Sequence, residues 1–189
     1  AAVAVDIWLA RFACGHHISR AAESRDVDNL HEPDEPTKKP NRIRGWRTQL
    51  ETRSSRAMVL ACIDPRFQEL VTNYTTGRGL TGRYSQFTVA GAAIGVVAPR
   101  FENWHDTFWD NLDASVELHR ITTVIAINHR DCGAAEIAYG AAAVADATCE
   151  TRTHREALAE FRRQLAVRHP QLGVETGLMA LDGTLEGIS

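Results

Sequence analysis

Two runs of apolar or β-branched residues constrain the fold of this 189-residue chain more than any other feature. Residues 57–63 have the sequence AMVLACI, and residues 121–127 have the sequence ITTVIAI. Runs of this length and composition are typical of strands that are buried on both faces of a parallel sheet. Helical spacing of apolar residues follows at 104–119 and 153–168. Strands that alternate with helices predict an α/β fold with a mostly parallel central β-sheet flanked by helices.

Shorter patterns predict the remaining elements. We expect a short helix at residues 66–75, a second strand at 85–89, and one Ala-rich helix at 134–147. Near the end of the chain, residues 176–188 have a strand-like pattern on both sides of an Asp-Gly turn. This segment therefore predicts two strands that are joined by a tight turn.

Composition limits the partners of the chain. Apolar residues make up 44% and charged residues 24%, close to the average of globular proteins. The apolar runs are too short to span a bilayer. The net charge of −3 argues against an extended nucleic-acid surface. We therefore expect neither a membrane nor a nucleic acid as partner.

The first 55 residues differ from the rest of the chain. Residues 3–12 are apolar and fit either a strand or a short helix. Residues 30–40 contain three prolines and alternating acidic and basic groups, which fits an extended connector and equally a disordered linker. We predict an N-terminal extension or arm with a Pro-rich charged linker at 1–55, followed by one domain at 56–189.

Residues that suit metal binding follow both long strands. Cys62 closes the first run, and His129 and Cys132 come directly after the second. Loops at the carboxyl ends of parallel strands share one crevice, so these side chains can meet. Two cysteines and one histidine form a zinc ligand set that leaves the fourth position open, as in catalytic sites. Either motif alone fits ordinary core residues equally well, but together they predict a metal site.

The same residues carry a resemblance to a known family. Residues 62–66 (CIDPR) and 129–133 (HRDCG) resemble the C-x-D-x-R and H-x-x-C-G motifs of the β-class carbonic anhydrases. The resemblance covers roughly residues 56–189 and implies a β-carbonic-anhydrase-like fold. It implies that Cys62, His129 and Cys132 bind Zn²⁺. The implied activity is that of a carbonate dehydratase, a lyase in which a zinc-bound hydroxide reversibly hydrates CO₂ to bicarbonate.

The resemblance also assigns roles near the metal. It implies a catalytic pair in which Asp64 accepts a hydrogen bond from water and Arg66 holds that carboxylate in a fork. Without Arg66, Asp64 could become a fourth zinc ligand in a closed state. Small or apolar side chains suited to a CO₂ pocket are Phe87, Val89, Ala92, Ala93 and Gly133. Because a neighbouring subunit often completes the pocket in this family, we expect a homodimer or a higher homo-oligomer.

Departures from the family pattern leave the substrate open. Pro65 replaces a residue that is usually small and polar, and Thr88 and Val89 stand where the family usually has Arg and Asn. A more apolar pocket suits carbon disulfide or carbonyl sulfide as well as CO₂, so a hydrolase of these compounds is the first alternative. An inactive zinc-binding homologue with a structural or assembly role is the second, although the presence of Asp64 and Arg66 argues against it.

The other two cysteines lie outside these motifs. Cys14 precedes His16 and His17, and a second metal site with His31 is conceivable, although fewer than four ligands are evident. A disulfide between Cys14 and Cys149 is also conceivable. Since the predicted site needs two thiolates, a reducing compartment is the simpler interpretation, and we expect a cytoplasmic protein.

Overall fold

A computed structural model describes residues 56–188 of the chain, in which five strands form one sheet. The strands are β1 (Ala57–Ala61), β2 (Tyr84–Thr88), β3 (Thr123–His129), β4 (Gly173–Met179) and β5 (Leu185–Gly187). Their order in the sheet is β2-β1-β3-β4-β5. The first four strands are parallel and β5 runs antiparallel to β4, which confirms the predicted α/β class.

Helices of very different length connect the strands. The α-helices are α1 (Gln68–Gly77), α2 (Ala93–Val97), α3 (Glu102–His119), α4 (Gly133–Tyr139) and α5 (Ala147–Arg168). Short 3₁₀ turns lie at Pro65–Phe67, Pro99–Phe101 and Ala141–Val144. Within residues 56–188 no helix has both the length and the apolar character needed to cross a membrane. The helices predicted at 66–75 and 104–119 correspond to α1 and α3.

Apolar side chains cover both faces of the sheet. Along β1, Val59 packs in a cluster that contains Phe67. The next residue, Leu60, packs in a second cluster that contains Phe108 and Phe161. Successive strand residues point to opposite faces, so a strand covered on both sides must be apolar throughout. This explains why β1 and residues 124–127 of β3 are unbroken apolar runs in the sequence.

The prediction of one helix over residues 134–147 was wrong. Helix α4 ends at Tyr139, where Gly140 has a φ of +83°, and a separate 3₁₀ turn follows. Helix α5 starts six residues before the predicted position 153. Its first turn is capped by the Asp146 carboxylate, which accepts hydrogen bonds at 2.8 Å from the amides of Thr148 and Cys149. A glycine that ends one helix and an aspartate that caps the next divide the Ala-rich segment.

The interpretations of residues 3–12 and 30–40 lie outside the described residues, as does the possible site at Cys14, His16 and His17. The boundary between an extension at 1–55 and a domain at 56–189 stays a prediction.

Candidate metal centre

Cys62, His129 and Cys132 converge in the structure as their positions after the strands predict. Their side-chain ligand atoms all lie within 4.8 Å of one another. Each residue is at most 5% exposed. The two sulfur atoms are 4.0 Å apart, far beyond the length of a disulfide bond, so both thiols are free. The three residues can therefore hold a metal ion.

The parallel pairing of β1 with β3 brings the ligands together. Ala61, the last residue of β1, pairs with Ile127, so both strands end at the same edge of the sheet. Cys62 follows β1 directly, and His129 is the last residue of β3. Cys132 is the N-cap residue of α4, which confirms its predicted position just before a helix. The backbone amides of Ala134 and Ala135 act to lower the pKa of Cys132, but other groups outweigh them.

The distance between the two sulfurs and the orientation of the His129 ring both fit a bound zinc ion. Two zinc–sulfur bonds of about 2.3 Å at a tetrahedral angle place the sulfurs about 3.8 Å apart, close to the observed distance. His129 Nδ1 donates to the carbonyl oxygen of Arg130 at 2.8 Å, so Nε2 presents its lone pair. Nε2 is buried and has no hydrogen-bond partner within residues 56–188. Two thiolates and an imidazole with one open position suit zinc better than a hard cation.

The three candidate ligands shift one another's pKa values, because they lie close together in a buried site. The neighbouring Cys132 thiol lowers the pKa of Cys62 to about 4, against the opposing effect of burial. Cys62 in turn raises the pKa of Cys132, and burial acts in the same direction. Burial lowers the pKa of His129, but the neighbouring Cys62 outweighs this effect and raises the pKa above its usual value. A divalent cation bound between the three groups would replace their protons and stabilise the two thiolates.

Arg66 connects the loop after β1 with the loop after β3. It donates to the Asp64 carboxylate through Nε at 3.1 Å and through Nη2 at 2.7 Å. Its Nη1 donates to Asp131 Oδ2 at 2.7 Å, and Nη2 also contacts the Asp131 carbonyl at 3.1 Å. Asp64 Oδ2 lies 4.0 Å from His129 Nε2, beside the metal position. Hydrogen bonds from Arg66 lower the pKa of Asp64 to about 2, so the carboxylate is ionised at neutral pH.

The sequence patterns do not predict three further contacts of the site. Phe67, which is fully buried, stacks on the His129 ring with 4.7 Å between centroids. The Gly91 amide donates to Cys62 Sγ at 3.3 Å. Asn128 lies behind His129 and is 1% exposed. Asn128 offered a signal, because it is a polar residue that directly follows the apolar residues 124–127 of β3, whereas nothing local marked the roles of Phe67 and Gly91.

The residues predicted to line a CO₂ pocket separate into two groups. Phe87, Val89, Ala92 and Ala93 contribute to the hydrophobic cluster around Phe108. Ala92 and Ala93 are completely buried there. Gly133 instead lines, together with Cys132, a cavity of about 380 Å³ at the start of α4. The assignment of these five residues to a substrate pocket stays a prediction.

Comparison with known proteins agrees with this geometry. The family described as "Putative carbonic anhydrase" matches residues 52–167. An uncharacterized protein of Rickettsia bellii (strain RML369-C) is 29% identical over 131 residues, covering 69% of this chain and 80% of that protein.

Solved structures have the same fold. One of two tetrameric β-carbonic anhydrases from Sordaria macrospora is similar with a TM-score of 0.53 at 15% identity, covering 79% of this chain and 92% of that chain. The β-carbonic anhydrase CcaA gives 0.53 at 13% identity over 77% of this chain and 85% of that chain. At these identities the likeness concerns the fold, whereas the family match spans more than half of the sequence. The chain belongs to this carbonic anhydrase family, as the CIDPR and HRDCG motifs predict.

Proposed function

We propose that the protein catalyses the reversible hydration of CO₂ to bicarbonate at a zinc ion held by Cys62, His129 and Cys132. The observation that carries the proposal is the position of the Asp64 carboxylate, 4.0 Å from His129 Nε2 and fixed by Arg66. A purely structural zinc site usually has four protein ligands and needs no such carboxylate. Membership of the carbonic anhydrase family supports the same activity.

Each group has a definable task in this reaction. A bound zinc ion acts as a Lewis acid that makes water a nucleophile at neutral pH. Asp64, ionised because of Arg66, can only accept hydrogen bonds, so it can orient a water molecule beside the ligands. Arg66 donates to the carboxylate of Asp64 through two of its nitrogens, which fixes the orientation of that carboxylate. The Arg130 carbonyl fixes the His129 tautomer that leaves Nε2 free to bind.

The central experiment is stopped-flow measurement of CO₂ hydration with the zinc-loaded full chain. Cys62→Ser should lose bound zinc and reduce kcat/KM by more than about 100-fold, because loss of a ligand exceeds the cost of losing an outer-shell contact. Cys149→Ser is the matched control. Cys149 is not part of the ligand cluster, and its sulfur lies near Asp146 at the start of α5. This variant should keep both zinc and activity.

The same preparation tests the alternatives. Zinc-loaded protein that turns over carbon disulfide or carbonyl sulfide but not CO₂ would replace the proposal with the hydrolase. Inactivity towards all three compounds would favour a zinc-binding protein with a structural or assembly role. Full zinc retention in Cys62→Ser would contradict the ligand assignment itself.

Two measurements address the remaining parts of the proposal. Measurement of the zinc content of the purified full chain should give one zinc per chain, whereas two would indicate a further site at Cys14, His16 and His17.

We also propose a cytoplasmic homodimer or higher homo-oligomer. Light scattering of the purified full chain should give at least twice the mass of the 189-residue chain, and a monomer that is fully active would contradict the oligomer.

A further inference from the structure

A buried polar pair lies behind the metal ligands and is not used by the proposed reaction. Asn128 precedes His129 in β3 and is 1% exposed, and His154 of α5 is completely buried. Asn128 Oδ1 accepts a hydrogen bond from the Ala93 amide at 3.1 Å. Asn128 Nδ2 lies 3.0 Å from His154 Nδ1. One side chain therefore joins β3 to the start of α2 and to α5.

The hydrogen-bond pattern fixes the orientation of both groups. Only the oxygen of the Asn128 amide can accept from the Ala93 N–H, so the amide nitrogen must face His154. The amide nitrogen donates, which makes His154 Nδ1 the acceptor and places the proton of a neutral ring on Nε2. Rotating the Asn128 amide by 180° would break the hydrogen bond from the Ala93 N–H, whichever tautomer His154 adopted. Nε2 of His154 has no hydrogen-bond partner within residues 56–188, so the two hydrogen bonds of the Asn128 amide alone orient this pair.

The turn that Asn128 holds is strained. Gly91 has a φ of +80°, and Ala92 has a φ of 50° with a ψ of −114°. Alanine adopts such a backbone only where the surrounding structure imposes it. A Cβ on Gly91 would lie 3.1 Å from the Cβ of Ile94 and 3.2 Å from the Cβ of Ala134, so these neighbours would have to move to accommodate a larger residue. The hydrogen bond from Ala93 to Asn128 fixes the residue directly after this strained pair.

This turn delivers a hydrogen bond to a predicted metal ligand. The Gly91 amide donates to Cys62 Sγ at 3.3 Å, in a buried environment. Hydrogen bonds to ligand sulfurs withdraw electron density from them and tune the metal. Asn128 is thus connected to two predicted ligands: it precedes His129 in sequence, and it binds the Ala93 amide of the turn whose Gly91 amide contacts Cys62.

We propose that Asn128, anchored by His154, is a positioning residue of the metal centre that fixes the Gly91 N–H in hydrogen bond to the Cys62 sulfur. The inference rests on the proposed metal site, but it does not depend on which substrate is used. It requires that loss of the Asn128 network changes the properties of the metal–sulfur bond, and not only the stability of the fold.

Cobalt(II) is the probe for this inference, because its thiolate-to-metal charge-transfer absorption reports directly on the ligand sulfurs. In the full chain, Asn128→Ala should weaken cobalt binding by about 10–100-fold, the range for lost outer-shell contacts, and shift the charge-transfer band to lower energy. Thr153→Val is the matched control. Thr153 also lies on α5 and is 8% exposed, and its hydroxyl donates to the Ala143 carbonyl at 2.8 Å, away from the turn. This variant should lose stability but keep the affinity and the band.

Two substitutions of His154 make the test independent of Asn128→Ala. His154→Leu removes the acceptor for Asn128 Nδ2 and should shift the charge-transfer band. His154→Asn can place an oxygen acceptor near the former Nδ1, so its band should lie at the wild-type position. If neither Asn128→Ala nor His154→Leu folds, the wild type still provides a test. In the ¹¹³Cd-loaded chain, the Gly91 amide proton should show scalar coupling to the metal through the sulfur, and absence of coupling would overturn the proposal.

The outcomes separate this inference from the proposed function. An unchanged band and affinity in a folded Asn128→Ala protein, or changes equal to those of Thr153→Val, would overturn the positioning role. The expected band shift in Asn128→Ala, together with a wild-type protein that binds cobalt but hydrates no CO₂, would support the positioning role and contradict the proposed activity. Wild-type protein that takes up no metal would overturn both.

Discussion

The candidate metal centre consists of two layers that differ in their exposure to solvent. The inner layer is formed by the three buried ligands Cys62, His129 and Cys132, each at most 5% exposed. The outer layer is formed by the linked charged groups Asp64, Arg66 and Asp131, whose side chains are 15%, 50% and 74% exposed. Core packing determines the geometry of the inner layer, whereas charge-assisted hydrogen bonds determine that of the outer layer. Substitutions in the two layers should therefore affect different properties.

The largest effect is expected beneath the inner layer, at Phe67. This side chain is completely buried and stacks on the ring of His129. Phe67→Ala should reduce the free energy of unfolding by about 3–5 kcal/mol, the usual cost of such a cavity, and also weaken metal binding. Phe161→Ala is the control, because Phe161 is equally buried but belongs to the cluster on the other side of the sheet. Chemical denaturation and metal titration of both variants should show similar destabilisation but a loss of metal affinity only for Phe67→Ala.

His154, which lies behind the inner layer, should make stability depend on pH. Burial lowers its pKa to about 4, from the usual value of 6.5. The unfolded chain therefore binds the proton at higher pH than the folded chain. The stability contribution of the neutral ring is complete above pH 6.5 and decreases as the pH falls towards 4. The loss amounts to about 3 kcal/mol at most, at 1.36 kcal/mol per pKa unit.

Denaturation of the metal-free protein between pH 4 and 7 measures this dependence without contributions from metal loss. His154→Asn should flatten the decrease below pH 6.5. The control His119→Asn, at an exposed residue at the end of α3, should leave the decrease in stability below pH 6.5 unchanged. A decrease below pH 6.5 that is the same in His154→Asn as in the wild type would show that His154 is not held neutral by burial.

The sequence predicts the inner layer because its determinants are local. Apolar runs identify β1 and β3, and parallel strands end at a common edge, so the sequence predicts that Cys62, His129 and Cys132 can meet there. The strand-turn-strand motif at the end of the chain is predicted for the same reason, and β4 and β5 confirm it. The motifs also place Asp64 and Arg66 together, since they are only two residues apart.

The remaining contacts depend on packing between segments that are distant in sequence. Asn128 and His154 meet because β3 lies against α5, and apolar periodicity gives no register for that contact. Gly91 reaches Cys62 only through the strained turn before α2, whose positive φ values no local pattern indicates. The break at Gly140 was hidden because alanine is abundant on both sides of it, so helix propensity outweighed a single glycine.

A smaller and more selective effect is expected in the outer layer, at Arg66. Lysine keeps the positive charge but replaces a planar fork with a single ammonium group, which cannot hold Asp64 and Asp131 together. Arg66→Lys should lower kcat for CO₂ hydration by about 10–100-fold, as for other outer-shell contacts. Zinc content and unfolding temperature should stay close to wild-type values, because the side chain is half exposed and lysine keeps its charge. Loss of zinc in this variant would show that the two layers are not separable.

The smallest effect is expected at Asp131, the most exposed member of the outer layer. Its φ of +56° restricts the choice of substitution, and asparagine tolerates this left-handed backbone better than most residues. Asp131→Asn removes the ion pair with Arg66 while the backbone carbonyl of residue 131 still accepts from Nη2. Because exposed ion pairs contribute little, kcat should fall by about fivefold or less. The loss should become smaller at high salt, where the wild-type ion pair is itself screened. A decrease as large as that of Arg66→Lys would mean that Asp131, and not the fork on Asp64, determines the position of Arg66.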